Sequence, residues 1–188
     1  DNPITTKEIY LKYMNIKYKE ITIRTAVEHD AYTLLKWWND GNVMAHAGFP
    51  NGLNETVESI NNVITHNKER MFELCIIEFN DIPIGEINYR RIDEDTVEIG
   101  IKICDFSYQN KGYGKIILSL FIDTLLNVLN FKKIILDTNL NNIPAQKLYH
   151  SIGFKQVRIN KDAWKNQLGE LQSSIDYELV QISFKSYL

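Results

Sequence analysis

Cysteine is scarce in this chain of 188 residues: there are only Cys75 and Cys104, each inside an apolar run. Two thiols so placed exclude a disulfide scaffold and read as buried, reduced groups of a cytoplasmic protein. Long apolar stretches are missing as well. No segment reaches the ~20 uninterrupted residues that a membrane helix needs, and the polar start, Asp1 to Tyr13, holds no apolar signal core. Positive charge is not in excess, since the formal net charge is -3, which speaks against nucleic acid as the main partner and suits an amine. The four histidines, His29, His46, His66 and His150, show no metal-ligand spacing, so no metal is expected. Gly/Ser/Pro-rich linkers and internal repeats are absent too. The simplest reading is a single domain over 14–188, with 1–13 either an appended segment or an extra helix.

What is present is an ordinary globular composition, 44% hydrophobic and 24% charged, long enough to bury roughly two-thirds of the unfolded surface. Glu20 to Arg24 reads as a first strand, and Thr25-Ala26-Val27-Glu28 as a capping box opening a helix through Trp38. Three glycines and a proline make 41–52 a loop, and Asn54-Glu55 start a second helix to about Asn67. Phe72–Phe79 and Ile82–Arg90 are apolar strands joined at Asn80-Asp81, a hairpin signal. Thr96 to Ile103 alternates, with Val97, Ile99, Ile101 and Ile103 on one face and Glu98, Gly100 and Lys102 on the other.

The helix that follows leaves a narrow polar stripe of Lys115, Ser119, Asp123 and Asn127. A buried strand spans 134–138, and Asn142 caps a short helix with Pro144 in its first turn and Gly153 at its end. Strands at 154–159 and 175–184 close the chain. A meander leading into a strand-helix-strand unit implies an α+β fold with a mixed, mostly antiparallel sheet of about seven strands flanked by helices. The terminal strand 175–184 offers an edge for pairing two copies into a homodimer.

Between the alternating strand and the long helix lies Gln109-Asn110-Lys111-Gly112-Tyr113-Gly114-Lys115. Its two glycines let backbone approach a ligand, and the helix start aims amide N–H groups and a positive dipole end at one spot, which suits pyrophosphate. Gln109, Lys111 and Lys115 add donors or charge. A tight turn before a buried helix is the plainer alternative. A P-loop fits poorly, because Lys115 is followed by Ile116 and the first glycine is absent. A dinucleotide fingerprint fits poorly as well, with Ile117 at the third glycine position and only Asp137 as an acid on the next strand.

Some thirty residues on come Asn142-Ile143-Pro144-Ala145-Gln146-Lys147-Leu148-Tyr149-His150-Ser151-Ile152-Gly153-Phe154. Together, Q-x-x-G-x-G opening a long helix and N-x-x-A-x-x-L-Y-x-x-x-G-F resemble the GNAT superfamily of acyl-CoA-dependent N-acetyltransferases. The likeness runs from about Ile21 to Phe184, nearest to the ribosomal-protein N-terminal, polyamine and aminoglycoside branch. It implies acetyl-CoA as co-substrate, with the pantetheine arm on the backbone of Ile101 and Ile103. It also implies the pyrophosphate on the amides from Lys111 to Lys115, Asn142 and Ala145 beside the cofactor arm, and Tyr149 near the sulfur.

The chemistry agrees. An alkylamine has a pKa of about 10.4, so a proton must be removed before attack. The oxyanion that forms needs a placed N–H, and the thiolate that leaves needs an acid, a role that suits the Tyr149 phenol. Packing under Phe154 is the plainer reading of Tyr149. For the base, Glu98 is expected, with Glu86 on the neighbouring strand as a second carboxylate; a water chain or a pairing of Glu98 with Lys102 is the alternative. The acceptor is expected at Trp38, Phe49 and Glu86, around a 41–53 loop that sets its identity. The expected reaction is direct acetyl transfer to a primary amine in a ternary complex, a small cationic amine ahead of a peptide N-terminus or a non-catalytic acyl-CoA binder.

Overall fold

The structure, a computed structural model, describes residues 13–66 and 71–188. The question left open about the N-terminal segment falls on residues outside that range, apart from Tyr13. Eight strands form one sheet in the order β1-β2-β3-β4-β5-β6-β8-β7. They are β1 (Asn15–Tyr18), β2 (Ile21–Thr25), β3 (Phe72–Phe79), β4 (Ile82–Arg91), β5 (Thr96–Ile103), β6 (Lys133–Asn139), β7 (Lys155–Lys165) and β8 (Leu171–Val180). Every neighbouring pair is antiparallel except β5 and β6. The helices are α1 (Ala31–Trp38), α2 (Gly41–Met44), α3 (Val57–His66), α4 (Tyr113–Asp123) and α5 (Ile143–Ile152).

Strand alternation divides the core into two. Cys75, Ile77, Ile87, Tyr89, Val97 and Ile99 pack with α4 and α5 on one face, whereas Leu74, Ile76 and Cys104 pack with α1 and α3 on the other. The expected hairpin at Asn80-Asp81 forms, both residues taking positive φ, as a two-residue turn matched to strand twist requires.

Four expectations need correction. The strand at 20–24 is preceded by β1, a strand too short for its alternation, Ile16 and Tyr18 inward, to stand out. The capping box at Thr25–Glu28 does not form, because Thr25 stays in β2 and donates to Glu73 Oε1 at 2.6 Å. Asp30 reaches back instead and accepts from the Val27 N–H at 2.8 Å. Ser119 is not on a solvent face: it is buried, and its Oγ accepts the Tyr187 N–H at 3.0 Å as the C-terminal residues cross α4. The last strand ends at Val180 and lies between β6 and β7, so the exposed edge belongs to β7 and not to residues 175–184. The helix expected as far as Asn67 is α3; Asn67 lies outside the described residues.

Candidate active site

Strands β5 and β6 touch only briefly. They pair in parallel at Thr96↔Lys133, Val97↔Ile134 and Glu98↔Ile135 and then part, β6 continuing alongside β8. Beyond Glu98, β5 therefore has a ladder partner only on its β4 side. An extended ligand arm laid along that open edge can take the backbone groups a strand would have taken.

The splay opens a cavity of about 1070 Å3. At one end it is lined by Gln109, Asn110, Gly112, Tyr113, Gly114 and Lys115, along its length by Ile101 and Ile103 facing Asn142, Ala145 and Tyr149, and at the far end by Asn42, Val43, His46, Ala47 and Trp164. The structure thus brings eleven of the expected site residues to one space, although they come from separate elements.

The loop end is shaped for an anion. Gly112 is the N-cap of α4 with φ 82, no side chain caps that helix, and a Cβ at Gly112 would meet nothing within 4 Å. Orphan N–H groups at the positive end of a helix dipole are left available there. Gly114 differs, since a Cβ on it would lie 3.1 Å from Leu148 Cδ2, so it lets α4 approach α5. Tyr113 anchors the first turn, its ring 4.9 Å from that of Phe79, and Gln109 Nε2 donates to Ile103 O at 2.9 Å, tying loop to strand.

Tyr149 comes from α5, placed by the Asn142 cap, whose Oδ1 accepts the Ala145 N–H at 3.3 Å. Its ring meets those of Phe154 and Tyr177, each at 5.8 Å. Burial, then the charge of Asp137, push its phenol well above the usual range, so it stays protonated. The ring is part of the core, and its edge still lines the cavity.

Five expected residues lie outside the lining. Lys111 follows the loop without reaching the cavity wall, and Phe49 is exposed and not part of that wall. Glu98 sits where β5 and β6 are still paired. Trp38 and Glu86 stand behind the acceptor end: Trp38 Nε1 donates to Glu86 Oε2 at 2.6 Å, and Lys102 Nζ lies 3.9 Å from Glu86 Oε1. Burial raises the Glu86 carboxyl against the opposing pull of Lys102 and Trp38.

Among the lining residues that were not foreseen are Lys102, Asp137 and Trp164. Lys102 and Asp137 are polar residues on strands that open onto the splay, a signal visible only when both strands are known to diverge. Trp164 lies beyond the expected end of its strand, where β7 shifts register between Asn160 and Trp164.

The hairpin of β7 and β8 fastens the 41–53 segment. Trp164 packs against Gly48, Gln167 N donates to Gly48 O at 2.8 Å, and the Gln167 side chain bridges the Asn51 N–H and Gly52 O, each at 2.9 Å. No helix among the described residues is long and apolar enough to cross a membrane.

Comparison with known proteins agrees with this geometry. The N-acetyltransferase YnaD of Bacillus subtilis, itself uncharacterised, is 29% identical over 146 residues, 76% of this chain and 84% of that protein. A shorter match, 33% over 79 residues, is to protein MJ1062 of Methanocaldococcus jannaschii, of which it covers only 16%. Among solved structures, spermidine N-acetyltransferase from Vibrio cholerae, in complex with CoA and spermine, superposes with a TM-score of 0.78 at 19% identity, covering 88% of this chain and 98% of that one. The ribosomal L7/L12 α-N-protein acetyltransferase RimL, in complex with CoA, does so with 0.76 at 14%, covering 89% and 98%. The family model of the acetyltransferase (GNAT) domain matches residues 20–155, and the chain belongs to that family of N-acetyltransferases.

Proposed function

We propose that the protein transfers an acetyl group from acetyl-CoA to the primary amine of a small cationic acceptor, both substrates being bound together. The observation that carries this reading is the single cavity running from the Gly112–Lys115 turn, along the open edge of β5 and past Tyr149, to Asn42–Ala47. The residues fit the co-substrate: uncapped amides and Lys115 for its phosphates, the backbone of Ile101 and Ile103 for its arm, and Asn142 and Ala145 across from it. Acetyl-CoA supplies the acetyl group as a thioester.

Tyr149 is the acid in this reading. A phenol held neutral by burial has a proton to give to a leaving thiolate. Covalent catalysis by cysteine is disfavoured, because burial raises both thiols and neither lines the cavity. Glu86 acts from behind the acceptor wall, holding Trp38 and Lys102 in place. The fastening of 41–53 to the β7–β8 hairpin supports a small acceptor, since it walls the acceptor end where a polypeptide would need an open groove.

The test is CoA release against polyamines, aminoglycosides, amino acids and peptides. Turnover confined to small cationic amines is expected. Turnover of peptides alone, or acetyl-CoA binding with no CoA release for any amine, overturns the reading.

A further inference from the structure

The C-terminal residues cross from α5 to α4 beside the loop end of the cavity. Phe184 packs on the core, and Lys185 N donates to Ile152 O at 2.8 Å at the end of α5. Gly153 permits that approach, since a Cβ there would collide with Ser183 O. The chain then reaches α4, where the Tyr187 N–H donates to Ser119 Oγ at 3.0 Å. The Tyr187 hydroxyl donates to Ser151 O on α5, also at 3.0 Å. One residue therefore bridges the two helices, fixed by its main chain on one and by its side chain on the other.

What Tyr187 touches belongs to the cavity. Lys115 and Ser151 both line it, and Lys115 Nζ sits 5.0 Å from the centre of the Tyr187 ring. Lys115 and Ser119 share one face of α4, so the ring covers the same helix face that its own N–H grips. Among the described residues no carboxylate pairs with the Lys115 ammonium. For an anion site the kind of partner matters. A carboxylate would neutralise the ammonium and compete with a phosphate. A ring face attracts the cation through its quadrupole and leaves its charge and N–H donors available. The lysine stem is flexible, and a contact that restrains it beforehand lowers the ordering cost of binding.

We propose that Tyr187 is a positioning residue of the donor site: its ring holds the Lys115 ammonium at the loop end of the cavity, where the ammonium meets a phosphate of acetyl-CoA. This rests on the acetyl-transfer reading above for the identity of the ligand, and it adds the C-terminal residues to the site. Lys115 makes the contact and Tyr187 aims it. Ser119 and Ser151 place the ring, and the phenol takes no part in the chemistry.

The experiment is a double-mutant cycle on acetyl-CoA affinity, measured by titration calorimetry with the full chain. It compares wild type, Tyr187→Leu, Lys115→Met and the two combined. Lys115→Met is expected to weaken binding by about 10-fold or more, the scale of a charge-assisted contact. Tyr187→Leu is expected to weaken it by about 2- to 5-fold, the scale of an exposed cation–π contact. In the Lys115→Met background Tyr187→Leu should add nothing, because the group it positions is gone. Tyr187→Phe keeps the ring and should stay near wild type. A loss in Tyr187→Leu that is as large in the Lys115→Met background marks a merely structural role and overturns the proposal. Wild-type affinity in Tyr187→Leu or in Lys115→Met overturns it as well, and so does a Tyr187→Phe as weak as Tyr187→Leu. Should Tyr187→Leu fail to fold, Tyr187→Gln takes its place in the cycle with the same outcomes. Each of these leaves the acetyl-transfer reading standing, since wild type still binds acetyl-CoA; a wild type that does not bind it overturns both.

Discussion

The indole of Trp164 rests on the backbone of Gly48 so closely that a Cβ built there would lie 2.3 Å from the ring. Gly48 also has φ 98, a region that L side chains rarely adopt. A strand from the far end of the chain thereby fixes a loop near its start, and both end at the acceptor side of the cavity. Gly48→Ala is expected to add strain on the order of 1–3 kcal/mol and push the loop off the indole. The expected signature is a raised KM for the amine with acetyl-CoA affinity unchanged, read by steady-state kinetics and titration calorimetry. A variant with the wild-type amine KM would show that this contact does not shape the acceptor end.

The two glycines of the anion turn should separate in a stability experiment. Gly112 has φ 82 and open space at its Cβ, so Gly112→Ala meets backbone strain and no clash, about 1 kcal/mol. Gly114→Ala exchanges a poor helix former for the best one, worth about 1 kcal/mol, against a 3.1 Å contact with Leu148 Cδ2 that a flexible side chain can relieve. Thermal unfolding should place Gly112→Ala below wild type and Gly114→Ala near it, while Gly114→Val falls further through that contact. Gly112→Ala as stable as wild type would remove the conformational argument for that glycine.

Tyr149 contributes its ring to the core, and Phe keeps the contacts with Phe154 and Tyr177. Tyr149→Phe should therefore leave the melting temperature almost unchanged and lower kcat by about 10²-fold, the usual scale for a lost acid. The sign of the pH effect follows from the raised phenol: an acid that loses its proton only above its normal range, near 10, imposes no alkaline fall in kcat below that pH. Full turnover in Tyr149→Phe across the pH range would exclude the acid role.

Much of this arrangement could be read along the chain because its parts are local. The Asn142 cap, the Asn80-Asp81 turn and the glycine at the start of α4 each need residues within a few positions of one another, and each stands where expected. What escaped was set by distant partners. Nothing near Ser119 says that Tyr187 will cover it, and nothing near Asp137 says that β5 will turn away and leave it in a cavity wall. Glu98 alternates correctly with Val97 and Ile99, but whether it faces the splay depends on how far β6 stays paired, a property of the sheet. The same limit hid the true sheet edge. The β7–β8 hairpin starts β8 at Leu171 and puts it inside the sheet, and only the pairing of β8 with β6 makes that visible.

Away from the cavity, the turn into α1 is held by an ion pair whose effect should appear in acid. Arg24 Nη1 and Nη2 each lie 2.8 Å from an oxygen of Asp30, which also accepts the Val27 N–H. Burial alone would raise the Asp30 carboxyl; hydrogen bonds from Arg24 and the Val27 N–H outweigh it and leave the carboxyl below its usual value. A carboxyl that is more acidic folded than unfolded stabilises above its unfolded pKa of about 3.9, and that contribution is lost as pH falls through the folded value. The Arg24 side chain is 25% exposed, so solvent screening limits the pair to less than a fully buried one, about 1–3 kcal/mol. Asp30→Asn is expected to lower stability by that amount at pH 7. The gap from wild type should close as pH drops below about 4, where both proteins carry a neutral group at this position. Urea unfolding at a series of pH values measures it, and a gap that stays constant down to pH 2 would show that hydrogen-bond geometry, not charge, is what Asp30 supplies.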